Sequence, residues 1–353
     1  MALDLEVEFQ QAINEAYRSK KPLQIKGGNS KHFLGREPTG QSFDVSSNKG
    51  IINYQPSELV VTARAGTTLR ELEEVLAKQN QMLPFEPPRF ASTATLGGTI
   101  ATGVSGSRRP FTGSARDFVL GCKLINGKGE ILNFGGEVIK NVAGFDVARL
   151  MVGAMGTLGV LLEVSMKVLP RPSYEQTRVF EFNTEAALAT MSNWMNRSLS
   201  LSALCYEEGF LYARFAGEQS AIEDISRKLG GECLSSNLPF WTQLKEQQND
   251  FFLKAGNLWR FSVPAAEPPI NLSGKWLYDW GGGLRWIKTD EPANLIFRKL
   301  HSVKGHAQFF KGGDRSQEIY QPLESPLQKL NEQVKRAFDP VGILNPFRKF
   351  KQW

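Results

Sequence analysis

Cysteine and histidine are both scarce in this chain, each occurring three times in 353 residues. Cys122, Cys205 and Cys233 are odd in number, far apart and never arranged as C-x-x-C. That excludes a disulfide framework and any zinc or iron–sulfur cluster held by this chain alone, and it indicates a reducing compartment. Neither G-x-G-x-x-G nor G-x-x-x-x-G-K-[ST] occurs, so the Rossmann fingerprint and the P-loop are both missing. The longest uncharged apolar run lies between Arg149 and Glu163 and is too short to span a bilayer. The opening "MALDLEVEFQ" lacks the basic and apolar regions of a secretory signal. Basic residues outnumber acidic ones 42 to 36 but are scattered, apart from the C-terminal "FRKFKQW". This balance favours an anionic ligand or acidic partner and gives no stripe for nucleic acid.

What is present is ordinary globular material, 41% hydrophobic and 22% charged, enough for about two domains. Residues 1–172 mix strands ("PLQIKG", "ELVVTARAG") with a helix, "TTLRELEEVLAKQ", that opens on a Thr68/Glu71 capping box. "FVLGCKLINGKGEILNF" reads as a hairpin turned at Asn126-Gly127. "GVLLEVSMKVLP" reads as a half-buried strand with Val160, Leu162, Val164, Met166 and Val168 inward. Residues 173–318 carry six of the seven tryptophans and form a second, mixed unit with strands at "LYARFAG", "LWRFSVPA" and "WIKTD". Residues 319–353 are a tail whose helix has Ser325 as N-cap, Pro326 in the first position, and Leu327, Leu330, Val334 and Phe338 on one face. Asp339-Pro340 and Asn345-Pro346 then turn the chain twice.

Three glycine-bearing segments carry the chemistry. "KGGNSKHFLG", from Lys26 to Gly35, follows a strand with paired glycines that let successive N–H groups converge on phosphate oxygens, beside Lys26 and Lys31. "ASTATLGGTIATGVSGS", residues 91–107, is small throughout except for Leu96, Ile100 and Val104, a helical stripe, and its Gly97-Gly98 pair would offer free N–H groups to an anion. In residues 134–170, glycines 144, 153, 156 and 159 punctuate apolar residues, with Lys140, Asn141 and Asp146 as polar handles for a flat ring system.

Together and in this order the three segments resemble the FAD-binding domain of the family named for p-cresol methylhydroxylase and vanillyl-alcohol oxidase. The tail "FDPVGILNPFR" is similar to the D-P-x-G-x-x-N-P-G-[KR] ending of FAD-linked oxidases, with Phe347 in place of the glycine before Arg348. "LPFEPPRFASTATLGGTIATGVSGSRRPFTGSARDFVLG", "GGEVIKNVAGFDVARLMVG" and "DWGGGLRW" look like the family of smaller FAD-binding subunits of bacterial glycolate oxidase, over nearly the whole length. The resemblance implies an α+β fold: a two-lobed FAD-binding domain of the p-cresol methylhydroxylase type, a mixed α/β cap, and a tail returning to the FAD domain.

By motif position it implies flavin contacts at Lys26, Gly27, Gly28, Asn29, Ser30, Lys31, Gly97, Gly98, Thr99, Gly103, Asn141, Gly144, Asp146, Gly159 and Val160. His32 lies four residues beyond Gly28, unlike the G-G-H of tethered relatives, so FAD is expected to be non-covalent. Arg108, Arg109 and Arg116 lie where the chain passes toward the flavin. The H-x-G-D-G-N-x-H of related two-hydroxy-acid dehydrogenases is replaced by "KGHAQFFKGGDRS". That leaves His306, Arg260 and Arg285 as catalytic candidates and no metal site. The implied activity is oxidation of glycolate to glyoxylate by an FAD-dependent oxidoreductase acting on a CH–OH group. It would work in the cytoplasm, or at the inner face of the membrane, with a larger flavin subunit and an iron–sulfur subunit. A non-catalytic electron-relay or structural flavoprotein subunit, and a self-sufficient FAD-dependent alcohol or 2-hydroxy-acid oxidase, are the alternatives.

Overall fold

The computed structural model describes residues 2–136, 146–235, 237–316 and 318–352. An N-terminal helix, Ala2–Ser19, which sequence reading did not anticipate, buries Phe9, Ile13 and Ala16. These pack on the parallel pair Leu23–Lys26 and Gln41–Asp44 and on Ile343 and Leu344 of the tail. Beside this small lobe stands a five-stranded antiparallel sheet in the order Ile51–Gln55, Val60–Arg64, Val160–Lys167, Val119–Ile125, Ile131–Gly135. Strands from Tyr174 onward join a separate eight-stranded antiparallel sheet.

Local chemistry accounts for most element ends, and it corrects several readings. The Thr68/Glu71 capping box forms as expected and starts Leu69–Ala77, with Leu69, Leu72 and Leu76 buried. The hairpin exists, but its turn runs from Asn126 to Glu130 with Gly129 in the left-handed region at φ +78°, so it is longer than an Asn-Gly turn. Central position buries Val160–Lys167 on both faces. Its pairing skips Leu162, a bulge that turns Val160 and Leu162 toward the small lobe and Leu161, Val164 and Met166 toward the main core. The tail helix, Ser325–Phe338, has Glu324 as its N-cap, because Ser325 already lies inside the helix; Leu327 and Leu330 are exposed, and only Val334 and Phe338 meet the core.

Two devices fix the parts relative to one another. The Lys335 ammonium donates to Asp339 and to the carbonyls of Thr157 and Leu344, while Asp339 accepts the N–H groups of Ile343 and Leu344. This pair is buried, and losing one partner of such a pair typically costs about 3–5 kcal/mol. It therefore anchors the turn that carries Asn345 and Arg348. Across the two sheets, Glu86 accepts from Arg108 and Arg214, and Arg108 also meets Glu175. Burial would raise the Glu86 pKa, but the two arginines outweigh it and hold the carboxylate ionised. Ser107 donates to Asp279, and the Trp280 indole donates to the Gly106 carbonyl.

Candidate functional site

The loop after Leu23–Lys26 forms one wall of a cleft between the small lobe and the five-stranded sheet. The N–H groups of Gly28, Asn29, Ser30 and Lys31 meet no protein acceptor among the described residues. Asn29 adopts φ +54°, the left-handed step that curls successive amides into a concave anion nest. Gly28 packs so closely that a Cβ would sit 1.5 Å from the Thr93 carbonyl oxygen, and one on Gly27 would sit 2.7 Å from Thr95 Oγ1. The loop is held by Arg348, which also lines the cleft and whose guanidinium donates to the carbonyls of His32 and Arg36 at 2.9 and 3.0 Å. Lys31 is buried, with its ammonium 3.4 Å from the Arg89 carbonyl and above the Phe90 ring. Burial draws its pKa down to about 8, against the pull of Glu246.

The small-residue helix contributes differently from expectation. It spans only Leu96–Thr102, because Gly103 takes φ +64° and ends it. The Gly97 N–H donates to the Ala65 carbonyl and the Gly98 N–H to Thr95 Oγ1, so neither is free for an anion. Gly97 instead permits close packing, since a Cβ there would lie 2.8 Å from that of Ala65. Leu96 and Ile100 are buried together in the main core, whereas Val104, beyond the helix, packs against a different cluster.

Lys26 through Lys31, Gly97, Gly98 and Gly159 line the cleft. Thr99 is fully buried behind it, and Val160 points into the core with Ile13. Asp146 caps the short helix Val147–Leu150, pairs with Arg149 and does not line the cleft. Asn141 and Gly144 lie outside the described residues. Sequence reasoning missed Asn345, which accepts the Ile25 N–H, donates to the Met155 carbonyl and lines the same cleft. The N-P turn was visible in the sequence, but its tertiary partners were not.

A second cavity of about 160 Å³ shares Thr102 and Met155 with the cleft and continues it toward the eight-stranded sheet. Space of this order accommodates a benzene ring. Gly103 lies on its wall, with Arg260, Gln308, Phe310, Tyr320 and Lys349, and among the described residues no acidic one lines it. The Arg260 guanidinium lies 5.1 and 6.0 Å from the ring centres of Trp280 and Trp286 and meets no acceptor among the described residues. Arg109 stacks on Trp280 as well, at 4.1 Å. Burial, then Arg109, draw the Arg260 pKa down to about 10. The Tyr320 hydroxyl accepts from Gln308 and donates to the Met155 sulfur; burial pushes it up to about 12 despite four surrounding arginines.

The other two catalytic candidates do not reach this cavity. Arg285 is buried with its three donor nitrogens on the carbonyls of Gly282, Pro268 and Glu267, so it braces a turn. His306 shares a strand face with Gln308 and Phe310 but lies one step further along, exposed opposite Ser262. Among the described residues no His/Cys/Asp/Glu group could hold a metal ion.

A cleft with an anion nest, opening on a cation-lined chamber beneath a large antiparallel sheet, defines the class: a two-lobed unit with a cap that suits an anionic cofactor. The fold matches the crystal structure of p-cresol methylhydroxylase with a TM-score of 0.71 at 16% identity, covering 98% of this chain and 87% of that one. A family model described as FAD binding domain matches residues 4–135. The chain is 46% identical to glycolate oxidase subunit GlcE of Escherichia coli (strain K12) over 98% of its own length and 99% of that protein's, and it belongs to that family. It is also 30% identical to a D-lactate dehydrogenase of Anaerostipes hadrus, over 54% of this chain and 40% of that longer protein.

Proposed function

We propose that the chain is the FAD-carrying subunit of a complex that oxidises glycolate to glyoxylate. In this reading it holds FAD non-covalently and admits a small carboxylate without itself supplying the base. The family relationship gives the oxidoreductase class and the flavin. The residues fit that cofactor, since the free amides of Gly28 to Lys31 suit a pyrophosphate and the side-chain-free approach at Gly27 and Gly28 leaves it room. When bound, FAD supplies the two-electron oxidant. Arg260 then offers a fork of donors to the substrate carboxylate, and Gln308 and Tyr320 offer polar contacts beside it.

The observation that carries the reading is the continuity of the two cavities at Thr102 and Met155, which sets an acid-free cationic chamber against the flavin cleft. Among the described residues that line it, the chamber offers the proton of the substrate hydroxyl only Lys349, Tyr320 and neutral groups. Among the described residues no histidine or carboxylate lines the chamber, Lys349, its pKa lowered by burial, is held on the Gly153 carbonyl, and a tyrosine at about 12 is a poor base near neutrality. For this reason we assign the chemistry to the assembled complex, with a larger flavin subunit and an iron–sulfur subunit as partners. Non-covalent attachment is supported by His32, held on the loop's own Asn29 carbonyl, and by the buried Cys122, whose thiol burial pushes up to about 12. Free cysteines and the lack, among described residues, of a helix long and apolar enough to cross a membrane support a cytoplasmic site reached by any membrane through the partners.

Acid precipitation of the purified chain should release all flavin to the supernatant. Anaerobic mixing of the FAD-loaded chain with glycolate should bleach it only slowly, since loss of a general base costs roughly 10²- to 10⁴-fold. Rapid and complete bleaching without a partner would overturn the division of labour.

A further inference from the structure

Four strands of the large sheet end together next to the flavin loop. In register, Lys275 pairs with Lys288, and Leu258 pairs with Lys288 on one side and Lys311 on the other. Three lysines therefore stand in a row across adjacent strands, about 15 Å long at the usual strand spacing. None of the three has an acidic partner within salt-bridge distance among the described residues. Burial and then Lys311, Lys254 and Lys275 all act to lower the Lys288 pKa, with no carboxylate opposing them. Lys254 borders the row and meets the exposed Glu208 only at 3.8 Å, and the nearby Asp290 is engaged by the Asn257 amide.

The relief of this face is low. The intervening turns are Ala255-Gly256, Ser273-Gly274 and Gly312-Gly313, all exposed, with the four glycines at positive φ. Beside them Lys275 and Lys311 are exposed, Lys288 is half-buried with its ammonium 3.4 Å from the Phe252 carbonyl and near the Phe251 ring, and Leu253, at the end of the helix Asp250–Leu253, is 69% exposed. The row also abuts the site: the Lys311 ammonium lies 5.9 Å from the Phe33 ring centre, and Phe33 contacts Phe310 of the second cavity.

We propose that this lysine row, with Leu253 at its margin, is the docking face for an acidic surface of another protein subunit. The proposal rests on the reading of the chain as part of a complex. A like-charged row without counter-charges costs self-repulsion that an acidic partner removes, and such complementarity chiefly speeds encounter and fixes register. A flat floor of small turn residues lets a partner backbone approach, and one exposed apolar side chain supplies a contact that excludes water. A membrane surface fits less well, because interfacial anchoring favours aromatic residues and a broad apolar face, and Leu253 is the one large exposed apolar side chain placed here. Position beside the second cavity suits a partner that exchanges electrons with the bound flavin.

The test is co-expression of the tagged full chain with the flavin and iron–sulfur subunits of the same organism. Wild type is compared with Lys275→Glu/Lys288→Glu/Lys311→Glu and with a control of equal charge change elsewhere, Lys20→Glu/Lys21→Glu/Lys128→Glu. Flavin content and melting temperature establish that each variant is folded. The expected result is co-purification with wild type and control, weakened by salt, and a loss of about tenfold or more in partner recovered with the row variant. Full recovery with the row variant, or equal loss with the control, overturns the row while leaving the complex intact. No partner on wild type overturns the complex and the row together. Loss of binding only to phosphatidylglycerol vesicles, with partners retained, assigns the face to a membrane and also overturns the proposal.

Discussion

Replacing Arg260 by methionine should stabilise the protein while removing its affinity for small carboxylates. The guanidinium is drawn from its usual value above 12 to about 10, chiefly by burial, and that change corresponds to about 3 kcal/mol favouring loss of the charge. Partial exposure of the side chain to solvent roughly halves the figure. Stacking over Trp280 and Trp286 recovers about 0.5 kcal/mol for each ring at these distances. A net cost of about 0.5 kcal/mol remains for keeping the cation without an anion, and methionine, similar in length and apolar, would fill the space without it. Calorimetry should therefore show a melting temperature higher by about 1 °C. A bidentate carboxylate contact is worth about 1.5–3 kcal/mol, so titration of flavin absorbance with glycolate or oxalate should show about 10- to 100-fold weaker binding. A variant that melts lower than wild type would mean that the arginine has an unseen stabilising role. Unchanged oxalate affinity would mean that the second cavity does not receive the carboxylate.

The remaining expectations concern the loop and the tail. Lys31 has its folded-state pKa lowered to about 8, so between about 8 and the ordinary lysine range the unfolded chain holds a proton that the folded flavin-free chain has lost, and flavin-free stability should rise with pH across that window. The flavin pyrophosphate favours charged Lys31, so FAD affinity should fall as pH rises through about 8, and Lys31→Met should flatten that fall; equilibrium dialysis showing affinity flat or rising with pH in wild type would refute the assignment. Phe347 stands at φ +61° where similar FAD-linked oxidases carry glycine, and its ring is exposed. Relief of about 1–2 kcal/mol of backbone strain against about 0.5–1 kcal/mol of glycine entropy makes Phe347→Gly neutral to about 1 kcal/mol more stable, read from the urea midpoint, and a clear loss would show that the ring contributes packing.

Where chemistry was local, the sequence was readable. The Thr68 cap and the strand ending at Lys26 each depend on neighbours within a few residues, and each formed as expected, while the glycine pair after the strand lines the cleft. Reading failed where a distant group intervened. The Gly97 amide looked free, but Ala65, thirty-two residues earlier, accepts it. Arg285 looked available for a carboxylate, but a turn at Glu267 and Pro268 takes its donors. The stripe Leu327, Leu330, Val334, Phe338 is a genuine helical face, yet the core meets only its last turns. Arg260 was one of several arginines with equal claims; only the pairing of its strand with Gln308 and the stacking on Trp280 set it on the cavity wall.

The excess of basic over acidic residues now has specific locations. Lys31 lies in the cleft, Arg260 and Lys349 line the chamber, and Lys275, Lys288 and Lys311 stand on the rim of the sheet, with no acid among the described residues lining the chamber or pairing with the row. Charge alone suffices to bind a pyrophosphate, to hold a carboxylate or to attract an acidic surface, because each needs only uncompensated donors at the right place. Proton abstraction is different, since it needs an acceptor whose pKa lies near the working pH, and a chamber whose charged groups among the described residues are the cations Arg260 and Lys349 disfavours one. Its one phenol illustrates the difficulty: four arginines pull the Tyr320 pKa down, yet burial outweighs them and leaves it near 12. On the proposed reading, binding and base therefore separate on physical grounds, with the base brought by another surface of the complex.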